Sequence, residues 1–116
     1  MPRLQPQDPA QVAEALARGE HTRADLRLLT KHFLARLAQR APGRSVEVRV
    51  PPYAAAQVVE GVRHTRGTPP AVIELDAPTW IALATGETTW TDAFEEGRIR
   101  ASGERADLSA YLPLDA

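Results

Sequence analysis

The stretch LATGETTWTDAFEEGRIRASG, Leu83 to Gly103, holds three glycines, Gly86, Gly97 and Gly103, at the ends of short polar or apolar runs. Glycines placed in this way either cradle a phosphate or stop helices and strands. Neither G-x-G-x-x-G nor G-x-x-x-x-G-K-[ST] can be written through them, so they act as punctuation. Three short elements result: a helix closed by Gly86, a second helix capped by Thr89 or Thr91 and closed by Gly97, and a strand. In that strand Ile99 and Ala101 alternate with Arg98, Arg100 and Ser102, until Gly103 breaks it.

The same signals recur upstream. Asp76 and Pro78 form a cap-then-proline start, which predicts a helix over 79–85 with Trp80, Leu83 and Ala84 on one side. AVIELD before it reads as a strand ending near Asp76. SVEVRV alternates Val46, Val48 and Val50 with Glu47 and Arg49, as a half-solvated strand requires, and Pro51 and Pro52 stop it. YAAAQVVEG tolerates a helix, but the preceding prolines and the closing Val58 and Val59 favour a strand. GVRHTRGTPP is a turn-rich basic loop.

At the N-terminal end, Asp8 and Pro9 open a helix to about Arg18, where Gly19 is expected to take the left-handed terminal conformation. Thr22, with Asp25 three residues on, opens a longer helix to about Gln39. Leu26, Leu29, Phe33, Leu34 and Leu37 fall on one stripe of it, while Arg27, Lys31, Arg36 and Arg40 fall away. In the tail, Leu108, Tyr111 and Leu112 suit a short amphipathic helix closing over the core.

A chain of 116 residues fits one domain, with helices over about 9–40 and the sheet with its short helices over about 45–116. With 43% hydrophobic and 25% charged residues and a net charge of −1, it lacks the basic balance of a nucleic-acid binder. The absence of cysteine excludes a disulfide scaffold, a thiolate metal site and a cysteine nucleophile. No segment reads as a signal peptide or membrane span, so a cytoplasmic location without stable membrane insertion is expected.

DAFEEGRIRASG resembles the C-terminal signature of the sterol carrier protein 2 superfamily: an Ala-Phe pair, a glycine, a basic-apolar-basic strand and a second glycine. Those positions are Ala93, Phe94, Gly97, Arg98, Ile99, Arg100 and Gly103. The longer run RHTRGTPPAVIELDAPTWIALATGETTW, with the ending SGERADLSAYLPL, is similar to a bacterial sterol-carrier-protein branch of that superfamily. The resemblance implies a single α+β domain with a mainly antiparallel five-stranded sheet, helices on one face, and an apolar tunnel between them. It also implies non-enzymatic binding or transfer of a lipid, fatty acyl chain or sterol-like molecule, with no cofactor. The alternatives are an interaction module whose cavity has filled in, and an accessory domain acting with a partner chain. The last arises because related domains accompany thiol-dependent isomerases of the maleylpyruvate type.

Candidate residues follow from this frame. Leu29, Phe33, Leu37, Trp80, Leu83, Trp90, Phe94 and Ile99 would line the tunnel, although each equally suits a packed core. Arg63, His64 and Arg66 could grip an anionic head group, against the plainer reading of a solvated loop. His21, His32 and His64 have no i, i+4 partner, which argues against zinc. Ser102 and Ser109 lack the G-x-S-x-G elbow of a serine nucleophile, so no catalytic residue is named.

Overall fold

A strand with one apolar and one polar face belongs in the middle of a sheet that is covered on one side, and Val46–Val50, strand β1, takes that place. The computed structural model describes residues 3–61, 70–103 and 106–115. Among these, β1 pairs antiparallel with β2, Ala54–Val58, on one side and parallel with β3, Ala71–Glu74, on the other. β3 then pairs antiparallel with β4, Arg100–Ser102, giving the order β2-β1-β3-β4. The expectation of five mainly antiparallel strands is therefore corrected to four described strands in a mixed sheet. β2 ends and β3 begins opposite the same residue, Val46, on its two sides, and this makes the β1–β3 pair parallel. No local sequence signal encodes such a non-adjacent pairing.

The register puts Val46, Val48, Val50, Val58, Ala71 and Ile73 on one face, all buried. Glu47, Arg49, Gln57, Val72 and Glu74 occupy the other, more exposed face, where Arg49 pairs with Glu47 at 2.7 Å. A pair so open to solvent adds at most about 1 kcal/mol. The apolar face packs under helices α1 (Pro9–Ala17), α2 (Arg23–Arg40), α3 (Ala77–Thr85) and α4 (Trp90–Glu95), in one continuous core.

Local chemistry sets the helix ends. Thr22 Oγ1 accepts from the Asp25 N–H and Asp25 Oδ2 accepts from the Thr22 N–H, both at 3.1 Å, a complete capping box for α2. Asp76 Oδ1 accepts from the Thr79 N–H at 2.8 Å, and α3 ends at left-handed Gly86 as expected. Thr89, not Thr91, caps α4. Gly19 departs from expectation: α1 ends with Arg18 extended, its N–H donating to the Ala15 carbonyl, so no left-handed residue is needed. The tail contracts to one 3-10 turn, Ser109–Tyr111, with Leu108 fully buried.

One junction ties the layers together. Val59 adopts φ 64°, an uncommon conformation for a β-branched residue. Its N–H donates to the Ala41 carbonyl at 2.7 Å, and its carbonyl accepts from the Ser45 N–H at 3.0 Å and the Ser45 hydroxyl at 2.6 Å. Gly43 passes so close that a Cβ there would collide with the Val59 carbonyl. Only glycine allows that approach.

Candidate functional site

Most of the lining residues expected from the sequence fall on the seam between the helices and the sheet. α2 contributes Leu29, Phe33 and Leu37 because their spacing returns them to one helical face. Leu29 and Leu37 are fully buried and Phe33 is 1% exposed. From α3, Trp80 is fully buried and Leu83 nearly so. The Trp80 indole N–H donates to the Thr30 carbonyl of α2 at 3.3 Å, which fixes the two helices relative to each other. Trp90 of α4 and Ile99 before β4 join the same core.

Phe94 does not. It is 52% exposed, whereas Trp90, four residues earlier, is 8% exposed. Helical spacing would place the two together, but α4 has only six residues and Phe94 stands in its last turn. Near it, all three residues of β4 are exposed. Arg98 anchors this margin to α3 through Nε, which donates to Thr79 Oγ1 at 3.1 Å.

Two concavities at the surface of the described residues include no predicted lining residue. A shallow depression of about 210 Å³ lies over Val72, Glu74, Arg100, Ala101 and Ser102. A polar groove runs between α2 and the tail at Arg36, Gln39, Arg40, Leu114 and Asp115, where Arg40 Nη1 donates to the Pro113 carbonyl at 3.1 Å. Arg63, His64 and Arg66, the head-group candidates, lie outside the described residues. No group of three or more His, Asp or Glu suited to hold a metal ion occurs among the described residues. Nor is any helix there long and apolar enough to cross a membrane.

Sequence reasoning passed over His32. It is 4% exposed, its Nδ1 accepts from the Gln7 backbone N–H at 3.0 Å, and its Nε2 has no partner among the described residues. Burial, and secondarily the charge of Arg36, lower its pKa below the usual 6.5. The available signal was its place beside Phe33, at the edge of the apolar stripe, with Arg36 one turn further on the same side.

A family model described as bacterial SCP ortholog matches residues 22–114. No curated protein matches the sequence. Among solved structures the chain is similar to a sterol carrier protein-2 like-3 from Aedes aegypti, at 19% identity and a TM-score of 0.36. That match covers 66% of this chain and 84% of the other.

Proposed function

We propose, from the premise that the chain belongs to the family of bacterial SCP orthologs, that it binds or transfers an apolar ligand without catalysing a reaction on it. The ligand class is a lipid or fatty acyl chain, with a sterol-like molecule second. The observation that carries this reading is the chemistry of the seam. Leu29, Phe33, Leu37, Trp80 and Leu83 meet the valines of the sheet with no ionisable side chain on β2 or α3. A ligand chain entering such a seam gains about 0.8 kcal/mol per buried methylene, so affinity needs no polar motif. Arg63, His64 and Arg66 then supply the contact to an anionic head group, a role resting on their residue types and position in the chain.

A specific observation favours the second reading, a carrier fold that acts through a partner protein. The seam residues are already almost completely buried against one another, as side chains filling their own cavity would be. Native mass spectrometry of the purified protein, followed by solvent extraction, separates the two. A stoichiometric apolar adduct, displaced by a fluorescent acyl probe, supports the carrier. Protein that arrives bare and takes up neither acyl chain, acyl-CoA nor sterol at micromolar concentration supports the partner reading. For the head group, Arg66→Ala is expected to weaken binding of an anionic lipid; unchanged binding removes Arg66 from the site.

A further inference from the structure

The segment N-terminal to the family match is built onto α2 at two points. Residues 3–17 lie before residue 22, where the match begins, and α1 buries Val12 and Ala15 against the core, with Leu4 and Leu16 half-buried. The first point is the ion pair of Arg18 Nε with Asp25, at 3.0 and 3.2 Å to the two carboxylate oxygens. The second is the bond from the Gln7 N–H to His32 Nδ1. We infer that residues 3–17 form a pH-sensitive strap, latched on His32 and released when that imidazole takes up a proton.

Hydrogen-bond chemistry gives the reason. Nδ1 accepts the Gln7 N–H, so in the neutral ring the proton sits on Nε2. Protonation makes Nδ1 a donor as well and turns the Gln7 contact into one donor facing another. The imidazolium would also be buried beside Phe33, whose ring meets His32 edge-on at 5.1 Å between centroids. Few charges offset this. Arg36, on the same helix, opposes the proton, while β2 and α3 carry no ionisable side chain. On the strap, Arg3, Asp8 and Glu14 are exposed, and Arg18 at its end is taken up by Asp25. Releasing the strap hydrates the imidazolium and removes the conflict.

The direction with pH follows from the lowered pKa. The unfastened chain binds the proton more readily, so the latch is intact above about pH 6.5 and weakens as pH falls below it toward the lowered folded value. This holds whether the protein carries a lipid or a partner.

Hydrogen–deuterium exchange of the full chain at about pH 7.5 and about pH 5.0, corrected for intrinsic rates, tests the strap. Protection over residues 8–17 should fall by about tenfold at the lower pH, the factor given by loss of one buried hydrogen bond, while protection of β1 stays unchanged. His32→Asn keeps an acceptor near the Nδ1 position and cannot titrate, so its strap should stay protected at both values. Equal protection of the wild-type strap at both pH values overturns the proposal. So does loss of β1 protection together with the strap, or an Asn variant that loses the strap in acid as the wild type does. If the Asn variant does not fold, the wild-type Gln7 amide shift decides: it must titrate with the same midpoint as strap protection, and an invariant shift overturns the proposal.

Discussion

The seam between α2 and the sheet and the α4–β4 margin are made from similar parts and behave oppositely. Each has a phenylalanine, a helix opened by threonine with aspartate at the third position, and a glycine at a close turn. In the seam, Phe33 is 1% exposed, the capping box is complete, and Gly43 touches the Val59 backbone. In the margin, Phe94 is 52% exposed, Thr89 accepts from the Asp92 N–H without a bond in return, and a Cβ on Gly97 would meet nothing within 4 Å. The difference lies in what surrounds the residues rather than in their types. Enclosure turns each local preference into a cooperative constraint, and without it the preference acts alone.

Paired substitutions put numbers on that contrast. Phe33→Ala should lower stability by about 3–5 kcal/mol, read as a shift in urea midpoint at constant slope, through lost burial and the cavity left behind. Phe94→Ala should stay within about 0.5 kcal/mol of wild type. Similar losses for the two would mean that Phe94 is covered in solution, and the comparison would break there.

The glycine pair is next. Gly43→Ala forces a Cβ into the Val59 carbonyl and should cost about 2–4 kcal/mol. Gly97→Ala has open space and pays only for its φ of 75°, about 1 kcal/mol. Thermal unfolding of the two variants in one buffer ranks them. A Gly97 variant as damaged as the Gly43 one would show the margin to be as tightly packed as the seam.

The smallest effect sharpens the comparison most. Asp25→Ala removes the return bond of the capping box and the partner of Arg18, and should cost about 1–2 kcal/mol. Asp92→Ala should cost less than about 0.5 kcal/mol. Equal effects in circular dichroism melts would place the value of Asp25 in the helix dipole alone, not in its bonds.

Where a signal is local, the sequence was readable. The alternation of Val46, Val48 and Val50 placed β1 and its buried face, and Asp8, Thr22 and Asp76 marked three helix starts. What escaped was settled at long range. The parallel pairing of β1 with β3 depends on strands that are not neighbours in the chain. Phe94 was read by helical spacing in a helix too short for that spacing to bring it under cover. Gly19 suited a left-handed end, yet the chain leaves α1 extended toward the Arg18–Asp25 pair. His32 looked unremarkable because its partner is a backbone N–H, which no residue type announces. The eight lining residues were legible as apolar; whether they line or fill is decided by volumes that a residue pattern does not record.

The bonds that join Ala41 and Ser45 to Val59 also have a mechanical side. They fasten the C-terminal end of α2 to the start of β1 and the end of β2, while among the described residues the N-terminal half of α2 is bonded to other helical segments and not to a strand, Asp25 to Arg18 and Thr30 to Trp80. An 18-residue helix is a rod about 27 Å long, so the Ala41 end acts as a fulcrum and the Thr22 end as the tip of a lever. A tilt of about 5° moves that tip by about 2 Å over this length and leaves the fulcrum bonds intact. Any parting of helix from sheet is thereby graded along α2, widest beside Arg23 and narrowest at Arg40.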